Sequence, residues 1–559
     1  MQINTEKTDK PYTMSDDLKK VKECISLRDR TLTKQMTFRS MWQSIADMMF
    51  PQTYGINTKH AIGDELMTHL FDTTALEELE NMASGIANNL FPAGQQFFKF
   101  KAPLGLADDP VVTEYLYYLT ESLHEEIFNS NYVTQTGNTI QYWAGFGTGA
   151  NYSDWSVKDG LNFRDYAIGT YQCLENSAGE IDTIVLTMPM TARQIQQEYG
   201  KDGKNLGQTV NNALSQNSTS QFDEINIIHV IQPRKGRNES KIDKKNMPWE
   251  SCVVNEKDQI LLDEGGFDEF PFAIPRYTVM YREVYGRGRG TMMLPQVRVL
   301  NRLAKDYQEM SNKWVNPPKE VLDSFEGEVD VSPGALNYVQ VANSIKAIEM
   351  GSAGAYPVTK DILEYYRNGV KEGFYKNAFE PISNLTGDRR NTTEIMERLR
   401  EGLKKATRPF SRLFTELVTP QITRAALLLI RNGVVEGPPE QLQGKNMQLR
   451  FINPLALALE DQQSKGGQYW VEALGGVSEL FPGVTDNINS DQWARDLGES
   501  LGVKSTHIKP IDERDEEREM RAAQQQAMQQ MEMAQAGAEA YGKTTKAPEE
   551  GSAAEQMGQ

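Results

Sequence analysis

Apolar positions along the chain follow two rhythms, and the changes between them divide it. From Ser15 to about Phe50 they recur at steps of three and four until Pro51, the spacing of one helix face. Leu76, Leu79, Met82, Ile86 and Leu90 predict a second helix over 75–90, with Thr74 and Glu77 placed as a capping box and Pro92 as the stop. A third runs from Pro110, at its first turn, to about Phe128, with Val112, Leu116, Leu119, Leu123 and Ile127 on one face. After the glycine-rich stretch 145–151 the rhythm shortens. Apolar runs such as 181–188, 225–231 and 260–262, separated by Gly, Asn, Asp and Pro, predict antiparallel sheet over 163–189 and 223–280. The polar stretch 200–222 reads as exposed loop or short helix ends.

Helical spacing then returns. Leu294, Val297, Leu300, Leu303, Tyr307, Met310 and Trp314 form one stripe, and Val358, Ile362, Tyr366, Val370, Phe374 and Ala378 another. Between them lies a segment, 316–357, rich in Val, Gly and Pro. Two helices that bracket a small insert are expected to lie antiparallel, with the insert at one tip. A polar stretch, 383–392, leads into a helix over 393–432 with Gly433 as its C-cap and kinks at Pro409 and Pro420. Residues 454–505 predict two or three further helices, and 516–559 a helix that frays into a disordered end. The fold class expected is α+β, mostly helical.

Composition narrows the function. Among 559 residues, 59 Lys and Arg face 77 Asp and Glu, a formal charge of −18, which argues against a dedicated, tight DNA binder. Cys24, Cys173 and Cys252 are far apart and odd in number, as expected of free thiols in a reducing compartment. Neither a signal peptide nor a membrane span is expected.

Motifs that carry chemistry are scarce. Residues 537–544, GAEAYGKT, match the phosphate-loop pattern, but a polar helix former precedes them where a buried strand is needed. Gly145, Gly147 and Gly149 read as close backbone packing at a helix-to-strand junction rather than a dinucleotide loop. Gly286-Arg-Gly-Arg-Gly290 reads as a hinge, with a flexible phosphate contact as the other reading. His60, His69, His124, His229 and His507 lack metal-ligand spacing. The acidic run 512–519, interspersed with arginines, reads as a solvated helix face. No catalytic residue, cofactor or metal is assigned, and no enzyme activity is expected.

Five stretches, in this order, resemble the head-to-tail connector (portal) family of podoviruses. They are 73–100 (TTALEELENMASGIANNLFPAGQQFFKF), 145–154 (GFGTGANYSD), 188–200 (MPMTARQIQQEYG), YGRGRG at 285–290 before LPQVRVLNRL at 294–303, and 391–401 (NTTEIMERLRE). The resemblance implies a ring, usually of about twelve subunits, at one vertex of the capsid in the virion, assembled in the host cytoplasm. It implies a wing over 15–291 after a disordered arm (1–14), stem helices at 292–315 and 358–379, and a small α/β clip at 316–357. It places a tunnel loop at 380–392, the wing's long kinked helix and a following strand at 393–453, and a helical crown at 454–515. The partners implied are double-stranded DNA, bound without sequence specificity, the terminase large subunit, scaffolding protein, the major capsid protein, a tail adaptor or tail tubular protein, and internal core proteins.

Charge is distributed unevenly over that scheme. Arg298, Arg302 and Lys305 on the first stem helix, with Arg367 and Lys371 on the second, are tunnel-wall candidates. Glu320, Asp323, Glu326, Glu328 and Asp330 make the clip acidic, as a surface for motor and tail docking or as ordinary solvated surface. In the tunnel loop, Asn384, Thr386, Gly387, Asp388, Arg389, Arg390 and Asn391 are channel candidates. Arg389 and Arg390 either meet phosphates or cap helix ends and pair with Asp388 and Glu394. The alternatives are a ring-shaped tail adaptor without a DNA role and an ATP-driven packaging enzyme.

Overall fold

A computed structural model describes most of residues 14–376, together with 407–453, a few positions near 490, and 511–544; residues 1–13, 377–406, nearly all of 454–510 and 545–559 lie outside the described residues. Two compact units divide the chain, Met1–Lys101 with Tyr118–Asp461 and Ala102–Tyr117 with Gln462–Gln559. The architecture is mixed, about half helical, with four separate sheets and no closed barrel among the described residues.

In the first unit, α1 (Met14–Met49) presents Val21, Cys24, Trp42, Ile45 and Met49 to the interior. The second helix, α2 (Thr74–Leu90), begins at the residue expected to cap it, one position before its expected start. Thr73 is the N-cap but has helix-like backbone angles, so its hydroxyl cannot face the third amide and donates instead to Glu77 at 2.7 Å. Asp72 does the capping, accepting the Thr74 amide at 3.0 Å. Strand β1 (Phe98–Lys101), α3 (Pro110–Asn129), which belongs to this unit from Tyr118 on, and α4 (Tyr132–Phe146) follow, with Phe91, Phe97, Phe98 and Tyr132 meeting largely edge to face in an aromatic core.

Strands β2 (Asn151–Ser156) and β3 (Gly160–Asp165) form a hairpin; β4 (Tyr171–Glu175) and β5 (Ile181–Thr191) lead into helices α5 (Ala192–Tyr199) and α6 (Gln208–Ser215). Strands β6 (Glu224–Pro233), β7 (Trp249–Asn255) and β8 (Ile260–Phe267) then complete a five-stranded antiparallel meander in chain order. Its residues alternate as the pleat requires. Ile227 and Val253 pack with Ile195 and Val210 of α5 and α6, while Ile228, Cys252 and Val254 pack with Val21 and Cys24 of α1. A short strand, β9 (Phe272–Ala273), joins β2 in the smaller sheet.

The helix–insert–helix segment comprises α7 (Arg289–Val315), an antiparallel two-stranded ladder of β10 (Lys319–Val321) and β11 (Ile345–Ala347), and α8 (Ala355–Gly373). Along α8 the expected apolar stripe holds at Val370 and, just past its end, at Phe374, 0% and 1% exposed, but Leu363, at 4%, takes the buried place expected of Ile362, which is 43% exposed. Helix α9 (Thr407–Leu413) continues through a π-turn, Phe414–Val418, into α10 (Thr419–Arg431). The kink expected at Pro420 is therefore a widened turn, with the Thr419 amide bonded five residues back to Phe414. After Asn432, Gly433 takes a left-handed φ of 73° and the Val434 amide reaches Leu429, the hydrogen bond of a Schellman stop. Strand β12 (Gln448–Phe451) pairs with β1.

The run Arg408–Arg431 is long and apolar enough to cross a membrane by length and composition, contrary to the sequence expectation. Its most apolar window is 61% buried within the protein, however, as a core helix would be. In the second unit, α11 (Ile511–Thr544) is one continuous helix, and the rest of the expected helix-to-disordered tail, 545–559, lies outside the described residues.

Candidate functional site

Gly145 and Gly147 of one glycine triplet lock against Gly286, Gly288 and Gly290 of another, while Gly149 packs on Thr139. A Cβ on Gly288 would stand 2.5 Å from the Ala144 carbonyl oxygen, and one on Gly290 2.5 Å from that of Gly145. Gly147 ends α4 with φ 96°, and a Cβ there would lie 2.5 Å from the Gly286 carbonyl oxygen. Such distances leave no room for any side chain. Hydrogen bonds complete the joint: Tyr277 N–H to Gly147 O at 2.8 Å, Gly286 N–H to Thr148 Oγ1 at 2.9 Å, and Arg287 N–H to Thr278 O at 2.8 Å.

The reading of 286–290 as a hinge is thereby corrected, because buried backbone packed against backbone has no freedom to swing. Its arginines are also engaged. Arg287 forks onto Glu283 at 2.6 and 2.8 Å, which holds that carboxyl below its ordinary pKa. Arg289 donates to Gly373 O at 2.7 Å and lies over the Tyr375 ring, joining the start of α7 to the end of α8.

A second clasp forms around residues 69–72. The buried Asn301 side chain of α7 accepts the Phe71 amide at 2.7 Å and donates to His69 O at 3.0 Å. Asp72, already the cap of α2, accepts from Arg367 of α8 at 2.9 Å. Three helices thus meet on four consecutive residues.

Beside the glycine joint, Arg276 is a buried cation with a side chain only 4% exposed. It reaches Glu175 at 3.2 Å, Glu416 at 2.9 Å and the Gly179 carbonyl at 2.8 Å, while its own amide donates to Glu416 at 2.8 Å. Glu416 lies in the π-turn, so this network fixes that turn to the sheet region. The thiols of Cys24 and Cys252 are hydrogen-bond partners, and all three cysteines are free and buried. Burial lowers the pKa of His124 and of His229 to about 4.

The five tunnel-wall candidates do not form one patch. Arg298 and Arg302 lie one turn apart on an exposed row of α7. Arg302 is 3.9 Å from Asp306 and Lys305 3.9 Å from Glu309, so the row largely neutralises itself. Lys305 lies over the Phe71 ring, and Arg367 is held by Asp72 and Glu364. Lys371 is half-buried. Neither Arg298 nor Lys371 forms an ion pair with any described residue.

In the insert, Glu320, Asp323, Glu328 and Asp330 are exposed, and Glu320 stands opposite Lys346 across the ladder. The Ser332 hydrogen bonds lower the Asp330 pKa. Exposed apolar groups accompany the acids: Leu336 is 79% exposed and Tyr338 88%. Glu326 and all seven tunnel-loop candidates, Asn384 to Asn391, lie outside the described residues.

Sequence reasoning missed the pairing of the glycine triplets, although their shared alternate spacing was the available signal. It also missed Asn301, Asp72 and Arg276, whose partners lie more than 100 residues away. Residues 537–544 belong to α11, without the strand–loop–helix frame of a phosphate loop.

A family model described as bacteriophage head to tail connecting protein matches residues 21–508. The portal protein of Salmonella phage epsilon15 is 27% identical over 524 residues, covering 90% of this chain and 92% of that protein. The probable portal protein of Bordetella phage BPP-1 is 24% identical over 523 residues, covering 91% and 93%. With the match running from α1 past β12, the chain belongs to the bacteriophage head to tail connecting protein family.

Proposed function

We propose that this chain, a phage portal and head-to-tail connector, closes into a ring through which double-stranded DNA is packaged and ejected. The observation that carries the channel reading is the arrangement of α7 and α8. Their near ends are fixed by the glycine joint, by Arg289 and by the 69–72 clasp, while their far ends carry an insert with an exposed acidic and apolar surface. In this reading the two helices are the stem, 316–357 is the clip, and the clip receives first the terminase and then the tail adaptor. Scaffolding and major capsid proteins would contact the outer surface, and internal core proteins the crown.

Phosphate contacts carry no sequence information, so a few cations per subunit are enough to guide a duplex. Of the five wall candidates, Arg298 and Lys371 are the two without a counter-ion among the described residues, and they replace Arg367 and Lys305 as the leading wall residues. Arg389 and Arg390 remain the loop candidates. The family is structural rather than enzymatic, which supports a passive channel over a motor.

Electron microscopy of the purified chain tests the ring: a central-holed assembly of about twelve subunits is expected, and a compact monomer would overturn it. Changing Arg389 and Arg390 to Ala is expected to leave rings intact and reduce packaged DNA. Normal genome filling would discard the tunnel-loop assignment.

A further inference from the structure

Two of the three cysteines meet, although most of the first unit's chain runs between them. Cys24 of α1 and Cys252 of β7 are 4% and 2% exposed and share one apolar cluster with Val21, Val185, Ile228, Val230 and Val254. Their thiols are hydrogen-bond partners. A buried cysteine by itself behaves as a small apolar side chain, and Cys173 of β4 fits that description. A buried pair in contact can do more.

The placement of this pair is set from both sides. Lys20, one turn before Cys24 on α1, reaches Glu250 at 3.6 Å and also Glu264 of the neighbouring strand β8. Arg28, one turn after Cys24, reaches Glu256 just beyond β7. Steps of four keep Lys20, Cys24 and Arg28 along one side of the helix. On β7, Glu250, Cys252 and Val254 alternate toward α1, with Cys252 opposite Val230 and Glu264 in the ladder. Ion pairs before and after thus hold the Cys24 sulfur against that of Cys252. Sulfurs already in hydrogen-bond contact have only to close to the bonded separation of about 2 Å.

The two thiols are also unequal. The hydrogen bond from Cys252 lowers the Cys24 pKa, against burial and with help from Lys20, and the same bond raises that of Cys252 together with burial. Cys24 is therefore the attacking sulfur and Cys252 the resolving one. With hydrogen peroxide as oxidant, the Cys24 thiolate attacks one peroxide oxygen and the O–O bond breaks. The departing hydroxide takes up the proton that the thiol released, leaving a sulfenic acid and one water. The Cys252 sulfur then attacks the Cys24 sulfur, and the hydroxyl leaves with the Cys252 proton as a second water. In sum two thiols lose two electrons and two protons to one peroxide, and one S–S bond forms. Burial of both sulfurs disfavours bulky disulfide oxidants and leaves a small peroxide as the fitting one.

We propose that Cys24 and Cys252 are a redox couple that hydrogen peroxide closes to a disulfide, stapling α1 to β7. Thiols in a reducing cytoplasm stay open, whereas those of a released particle meet oxidising surroundings. That timing rests on the reading of this chain as a virion component. Once closed, the staple holds α1 on the sheet even where its ion pairs are broken.

Mass spectrometry of the full chain tests the couple. Reduced protein is exposed to hydrogen peroxide, alkylated in denaturant and digested. A peptide linking Cys24 to Cys252 within one chain is expected, released by dithiothreitol, with Cys173 oxidised at least about tenfold more slowly. Closure is expected to raise the denaturation midpoint by several degrees, and the rise to be absent from Cys24→Ala and Cys252→Ala. Each variant is compared with its own reduced form, so a lower starting stability does not obscure the result, and the linked peptide needs no variant at all. Absence of that peptide, oxidation of all three cysteines at one rate, linkage only between chains, or linkage only after prior unfolding would overturn the couple. A linked peptide without a rise in midpoint would overturn the staple. In released particles given no peroxide, the linked peptide is expected again. Free thiols there would discard the timing while the purified chain still decides the couple, and particles that lack this chain would refute the virion reading instead.

Discussion

The two ends of α7 are built on different principles. Its first half buries Gly290, Met293, Leu294, Val297, Leu300, Asn301 and Ala304 against α1, α4 and α8. Past Ala304 no residue of α7 is buried, and the helix ends on Trp314 and Val315, 40% and 85% exposed. The near end is accounted for by this chain's own contacts: close-packed glycine backbone, an amide side chain that satisfies two buried backbone groups, and paired charges. The far end and the described part of the insert beyond it expose apolar and acidic groups together. Buried packing is thus concentrated where the helices are rooted, and exposed apolar and acidic surface where they project.

The strongest way to break this contrast is at the root. Arg276→Ala leaves Glu175 and Glu416 without their buried cation and frees the π-turn. Removing one partner of a buried pair costs about 3–5 kcal/mol, so the denaturation midpoint is expected to fall steeply. A change under about 1 kcal/mol would mean that the network behaves like a surface pair.

Acid attacks the same unit through two histidines. His124 Nε2 donates to Phe98 O at 3.0 Å and its ring stacks on that of Phe98, while His229 Nε2 is 2.8 Å from Ser251 Oγ in the sheet. Both have a folded pKa of about 4, below the ordinary 6.5. The unfolded chain therefore takes up protons that the folded chain refuses. Their stabilising contribution is complete above pH 6.5, is lost as pH falls toward 4, and levels off below. The loss is on the order of 3 kcal/mol for each. His229→Gln is expected to flatten the fall of unfolding free energy between these limits; an unchanged slope would remove His229 from the account.

Gly288→Ala probes the joint itself. A methyl 2.5 Å from the Ala144 carbonyl oxygen must push two backbones apart, and overpacking of this kind costs about 1–3 kcal/mol. Gly265→Ala, at a glycine with ordinary φ and open space around it, controls for the loss of glycine alone. If both variants lose equal stability in urea, the interlock contributes nothing of its own.

How much of this was legible follows from the range of each interaction. Helices α1, α2 and α3 were readable within a residue or two because apolar spacing is local, and so was the sheet over 181–267. The cap at Asp72 was misplaced by two residues because it depends on the backbone angles of Thr73. The close packing of Gly145, Gly147 and Gly149 was legible, but its partner was not: 286–290 alone resembles a hinge, and only the fold brings residues 145 and 288 together. Arg367 read as a free cation because its partner, Asp72, is 295 positions away. Charges counted along one helix cannot reveal that their counter-ions sit on another.

The smallest expected effect tests the far end. Tyr338 and Leu336 are 88% and 79% exposed, and substitutions at such positions usually change stability by less than about 0.5 kcal/mol. Replacing both by Ser is therefore expected to leave urea unfolding of the isolated subunit where it was. The same replacement removes apolar surface that would be buried only against another protein, so tail attachment to filled heads is expected to weaken. Deletion of 317–356 would extend the effect to loss of attachment with the first unit still folded. A double variant that unfolds early would show that the insert packs on its own subunit, and the distinction between root and tip would then collapse. A variant that folds and attaches normally would leave the root intact but would move docking away from these two side chains, toward the acidic groups of the insert.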